Sequence, residues 1–196
     1  MTPELKKFIV DRAMGNPTES LDSISEELFH MYMNDLNSST LREIITILVA
    51  GYEPLSKKLG RDGFDPNTGR YKEVKPKLYT FKTTNGAGCF NDYTRKRLDR
   101  DVAENLDIVQ SFFIKDRLAY LVEYSIIALK TKLEHQIKVN CEEKQYRYVR
   151  SASWSYCEWI AHESTKLHYI NWDLINSAPK CMNKKMYAGL RALDIK

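Results

Sequence analysis

The chain has 196 residues, 43% hydrophobic and 29% charged, with a net charge of +4. That suffices for one domain with its own core and is ordinary for a globular protein. No apolar run approaches the roughly 20 residues that span a bilayer, and Met1 to Arg12 lacks an apolar signal core, so a cytoplasmic protein without a membrane partner is expected. Cys89, Cys141, Cys157 and Cys181 form no C-x-x-C pair; Cys157, His162, His168 and Cys181 can be written as a zinc set, but their spacing is loose and buried thiols are commoner.

Residues 1–36 read as two helices. Pro3-Glu4 opens the first, Gly15-Asn16-Pro17 breaks it, and Ser20 or Asp22 caps a second that carries Leu28, Met31 and Tyr32. Ser38-Ser39-Thr40 caps a third, whose Leu41, Ile44, Ile45, Leu48 and Val49 recur at helical spacing and predict packing on a sheet.

The stretch Gly63-Phe64-Asp65-Pro66-Asn67-Thr68-Gly69-Arg70-Tyr71-Lys72-Glu73-Val74-Lys75 reads as a hairpin. Alternation along its second strand puts Tyr71, Glu73 and Lys75 on one face. With Asn67-Thr68-Gly69 as a three-residue loop closed by a left-handed glycine, Asp65 faces Tyr71 and lies diagonal to Glu73, at roughly 7–8 Å between backbones. A four-residue loop, Pro66 to Gly69, instead sets Asp62 opposite Glu73 and turns Asp65 away. The fit of Gly69 to the bulge position favours Asp65, with Asp62 in reserve. Two carboxylates and an ammonium so arranged can hold a divalent ion and a water against a phosphodiester, as in a metal-dependent nuclease.

Leu78-Tyr79-Thr80-Phe81 suggests a further strand, and Asn85 to Asp92 a glycine-containing loop before a helix that begins near Tyr93. That helix carries Arg95, Lys96, Arg97 and Arg100. From Lys57 to Arg100, twelve Lys and Arg stand against five acids, an excess of seven that suits a polyanionic partner. Residues 108–126 read as a buried hairpin turning at Lys115-Asp116, followed by a helix from Ile127 to Ile137. The tail, about 144–196, holds Trp154, Trp159 and Trp172 with Lys180, Lys184, Lys185, Arg191 and Lys196. Its aromatics are either core or a surface for stacking on bases.

Asp65, Glu73-Val74-Lys75 and the hydrophobic strands after them, over about residues 40–135, resemble the PD-(D/E)XK nuclease superfamily of restriction and phage endonucleases. Phe64 stands where that pattern has proline. The resemblance implies a restriction-endonuclease-like α/β fold: a central mixed sheet flanked by helices, a helical N-terminus and an aromatic-rich C-terminal segment. It implies one domain over 1–196, with a core at about 40–140 and an appendage at about 144–196. Asp65, Glu73 and the Val74 carbonyl would bind Mg²⁺ or Mn²⁺, with Glu53 as an accessory ligand; Glu43 is a second acid in that region. Lys75 would position the attacking water or stabilise developing charge. Lys77, Arg95, Arg97 and Arg100 would contact phosphates of DNA, and a homodimer in a bacterial or phage-infected cell fits this picture. Two rival readings are a non-catalytic DNA-binding or phage regulatory protein on the same fold and a protein-binding module.

Overall fold

The computed structural model describes residues 1–18, 21–55, 61–84, 86–178 and 180–195. Ser20, Lys57, Lys58, Asn85 and Lys196 therefore lie outside the described residues. Three helices lead the chain: α1 (Pro3–Met14), α2 (Ser23–Asn34) and α3 (Thr40–Val49). Thr2 and Asp22 cap the first two through side-chain oxygens, and Gly15, in the left-handed region, ends α1.

Strands β1 (Glu53–Pro54), β2 (Gly63–Asp65), β3 (Arg70–Leu78), β5 (Asp107–Ile114), β6 (Arg117–Ser125) and β8 (Lys166–Ile170) form one mixed sheet in the order β1-β2-β3-β5-β6-β8. Only the β3–β5 pair is parallel; the crossover between them carries β4 (Gly88–Tyr93) and α4 (Arg95–Ala103). β4 pairs with β7 (Val149–Trp154) in a separate two-stranded sheet.

Helices cover both faces of the main sheet, so β5 and β6 are almost wholly buried. On one side α1, α2 and α3 enclose a core around Ile45, Val74, Val109 and Phe113. On the other, α4, α5 (Lys130–Ile137) and the small sheet enclose Ile108, Phe112, Tyr124, Trp154 and Trp159. Thr46 Oγ1 meets Ser111 Oγ at 2.6 Å and ties α3 to β5. Gly63 permits the close approach of α3 to β2: a Cβ there would lie 2.3 Å from Ile47 Cδ1. Among the described residues, no helix is long and apolar enough to cross a membrane.

Three expectations need correcting. β3 runs unbroken to Leu78, and the chain turns at Tyr79–Phe81, where Phe81 adopts φ +60, so no separate strand forms there. The segment before α4 is strand rather than loop, and Thr94 caps the helix. The C-terminal segment is not an appendage: β8 extends the main sheet beside β6, and Trp154 and Trp159 are buried in the shared core. The remaining helices, α6 (Tyr156–Trp159), α7 (Trp172–Ser177) and α8 (Lys184–Asp194), flank β8 in sequence.

Candidate functional site

The hairpin takes the four-residue loop. Gly63 pairs with Lys72, Phe64 with Tyr71 and Asp65 with Arg70. Asp65 therefore lies on the opposite face from Glu73, which corrects the favoured register. Its carboxylate is consumed by the turn: it accepts from the Asn67 N–H at 2.9 Å and the Thr68 hydroxyl at 2.7 Å. The Thr68 bond foremost holds this carboxyl below the usual range.

Asp62 occupies the position that Asp65 was expected to fill. The ladder ends at Gly63, and the Val74 N–H donates to Asp62 Oδ2 at 2.8 Å instead of to a backbone partner. In a strand a residue's N–H and C=O point to the same neighbour, so the Val74 carbonyl is turned to the Asp62 side as well. Burial raises the Asp62 carboxyl, the charge of Glu73 raises it further, and Glu43 adds to this; the Val74 bond and Lys75 pull the other way. Lys75 Nζ donates to Glu73 Oε1 at 2.6 Å. The Asp62 carboxylate, at the Val74 N–H, and the Glu73–Lys75 pair thus both lie on the β3 segment Glu73-Val74-Lys75.

Aromatic rings set the cations on this face. Phe90 stacks on Tyr93 with centroids 4.8 Å apart. Lys75 Nζ lies 5.3 Å from the Phe90 centroid and the Arg97 guanidinium 5.1 Å from it. Arg97 comes within 3.9 Å of Glu73 Oε1. Behind it, fully buried Asp101 gathers Arg61 at 2.8 Å, Arg100 at 3.1 Å, Arg97 at 3.7 Å and the Tyr93 hydroxyl at 3.0 Å. Nothing in the sequence analysis singled out Asp101; the signal was an acid three residues after Leu98, on the apolar side of a basic helix.

The other residues distribute as follows. Glu53 sits exposed on edge strand β1 opposite Phe64, and among the described residues no hydrogen bond or ion pair joins it to Asp62 or Glu73. The acid that acts on Asp62 besides Glu73 is Glu43 of α3, which accepts from the Ser39 hydroxyl and lines, with Asp62, a cleft of about 390 Å³ between α3 and β1. Lys77 is exposed on the Glu73 face, two residues beyond Lys75. Arg95 turns away to Glu142 at 3.4 Å and Glu134 at 3.8 Å.

The basic excess between Lys57 and Arg100 is weaker in three dimensions than in sequence. Arg61 pairs with Asp101 and Glu104, Arg70 with Asp107, Lys72 with Asp107 and Glu123, and Arg95 with Glu134 and Glu142. Every one of these acids lies beyond Arg100. Lys77, Lys82 and Lys96 remain exposed, and Arg97 and Arg100 partly so.

Oxygen donors from Asp62, Glu73 and Val74 suit a hard divalent cation, and a cation would relieve the crowding of charge that raises Asp62. Among the described residues, no three or more His, Cys, Asp and Glu side chains group to hold a metal by themselves, so such a site would rely on the backbone carbonyl and on water. Cys157, His162, His168 and Cys181 do not assemble either: His162 bonds Ser164, His168 bonds Glu123 and Cys181 bonds the Ile175 carbonyl. No protein-family model matches the chain, and no curated protein matches it.

Proposed function

We propose that the protein is a metal-dependent endonuclease of the PD-(D/E)XK type that hydrolyses phosphodiester bonds in DNA, with Asp62, Glu73, Val74 and Lys75 as its centre. The observation that carries this reading is the Asp62 carboxylate bonded to the Val74 N–H, beside a Glu73 that holds Lys75. Asp62 and Glu73 would hold Mg²⁺ or Mn²⁺ with the Val74 carbonyl, and Glu43 would add negative charge from α3. The ion supplies neutralisation of the phosphate and activation of a water. Lys75, held by Glu73, orients the water and stabilises the charge that develops on the phosphoryl oxygens. Arg97 and Lys77, on the same face, bind flanking phosphates.

A cytoplasmic setting, in a bacterium or a phage-infected host, belongs to the same reading. The four cysteines are all unpaired, as a reducing compartment favours. The rival, a DNA-binding protein without catalysis, keeps the cationic face but leaves the raised Asp62 without a task.

The test is cleavage of plasmid and short duplex DNA by purified protein. Products are expected with Mg²⁺ or Mn²⁺ and none in excess EDTA; cleavage undiminished by EDTA would remove the metal from the mechanism.

Binding gives a separate prediction. In Ca²⁺, duplex affinity should fall steeply with salt, and Arg97→Ala should reduce the magnitude of the log–log slope by about 0.9, as for one lost phosphate contact. Arg95→Ala, already turned to Glu142, should leave the slope unchanged. Equal effects from the two variants would argue against the Glu73 face as the binding surface.

A further inference from the structure

α2 wears its large apolar side chains outward. Ile24, Leu28, Met31 and Tyr32 recur at helical spacing, and Leu36 follows just beyond the helix end; all five are between 48% and 72% exposed. The helix cannot turn to hide them. Its inner face is pinned by buried Met33, by Phe29 under the Arg12 guanidinium at 4.7 Å, and by the Arg12–Glu26 ion pair. His30 lies 3.4 Å from Asp116, and Arg42 donates to the Met33 and Asp35 carbonyls from below. Rotating the stripe inward would break all of these contacts.

We infer that this face joins two copies of the chain about a twofold axis that passes near Leu28. The five side chains expose roughly 500–600 Å² of mainly apolar surface, as much as the largest patch on a typical monomer. Covering the stripe on both copies removes about twice that area from water. The total, about 1,000–1,200 Å², comes up to the lower bound of stable interfaces and exceeds the usual extent of incidental packing.

The stripe is also complementary to itself. With two α2 helices antiparallel and Leu28 on the axis, the partner's Ile24 comes opposite Tyr32. It then enters the shallow cavity of about 430 Å³ that Leu28, Met31, Tyr32, Asn34 and Asp35 line. The offset from Leu28 to each of these is four residues, or about 6 Å of helix in either direction, so one axis satisfies both halves. The proposal does not depend on the nuclease reading, because α2 lies outside the Asp62 and Glu73 constellation.

The test is sedimentation of the full chain from about 1 to 100 µM. Wild type should sediment as a dimer of a 22.9 kDa chain. Leu28→Glu and Leu28→Lys should each raise the dissociation constant at least about a hundredfold, because each sets like charges against one another at the axis. Mixing the two should restore the dimer, which also demonstrates that both are folded. Phe81→Ser, which removes an exposed aromatic elsewhere, should leave the dimer intact. A wild type that is monomeric at 100 µM would overturn the proposal, including one that instead floats with lipid vesicles. So would a dimer that survives both charged substitutions.

Discussion

Asp62→Ala should lower Mg²⁺-dependent cleavage of duplex DNA by about a thousandfold or more, while Asp65→Ala stays within a few-fold of wild type. The contrast follows from the hairpin register. Asp62 lies beside Glu73 and bonds the Val74 N–H at 2.8 Å, whereas Asp65 faces Arg70 and spends its oxygens on Asn67 and Thr68. Glu73→Ala and Lys75→Ala should match Asp62→Ala in cleavage, because each removes a member of one catalytic unit. Duplex affinity in Ca²⁺ should change far less with Lys75→Ala than cleavage does. Asp65→Ala should cost about 1 kcal/mol of stability, the loss of a side-chain cap on the turn. Glu53→Ala should be silent, and Glu43→Ala should fall between, since its charge bears on Asp62. The measurement is single-turnover cleavage of one labelled duplex by all six variants. Inactive Asp65→Ala beside active Asp62→Ala would reverse the assignment and return the hairpin to its other register.

Local signals gave the elements, and long-range partners decided the rest. The three N-terminal helices, the β5–β6 hairpin and the Glu73-Val74-Lys75 strand were legible because caps, periodicity and alternation are properties of neighbouring residues. The choice between Asp62 and Asp65 was not settled by Gly69, which takes φ +70 in the four-residue loop that forms. A better clue was Asp65-Pro66-Asn67-Thr68-Gly69 itself, a turn in which an aspartate commonly bonds the backbone two residues on. The basic window misled because its neutralising acids lie later in the chain, at Asp101, Asp107 and Glu123. Leu28, Met31 and Tyr32 have a buried helix's spacing yet face outward, since periodicity defines a stripe without saying what covers it.

Lys72 shows the same limit and carries the largest expected effect on stability. It alternates with Tyr71 and Glu73 on a strand rich in charge, yet only 1% of it is exposed. Its Nζ donates to Asp107 Oδ2 at 2.8 Å and to Glu123 Oε1 at 2.9 Å, and lies over the Tyr52 ring at 4.3 Å. Glu123 also accepts from the Tyr52 hydroxyl, and His168 Nε2 lies 2.9 Å from it. Burial works against ionisation of Glu123, but bonds with His168, Tyr52 and Lys72 outweigh it and hold the carboxyl at about 2. Asp107 responds oppositely, with burial raising it despite Lys72. A depressed carboxyl stabilises the fold above its ordinary value near 4.5, and that contribution fades as the pH falls toward 2. Lys72→Ala removes the buried ammonium shared by two buried carboxylates, leaving Asp107 with Arg70 and Glu123 with Tyr52 and His168, and should cost about 3–5 kcal/mol at neutral pH, or roughly 6–20 °C in melting temperature. Without the lysine both acids should titrate higher than they do in the wild type, so mild acidification relieves the variant more than the wild type. The gap between Lys72→Ala and wild type should therefore narrow from pH 8 to pH 5 in denaturant melts. Lys72→Ala combined with Asp107→Asn and Glu123→Gln should recover part of the loss, since no buried carboxylate charge then faces the missing ammonium. A gap that stays constant with pH, or a triple variant weaker than Lys72→Ala alone, would mean that packing around Tyr52, and not charge, holds this side of the sheet together.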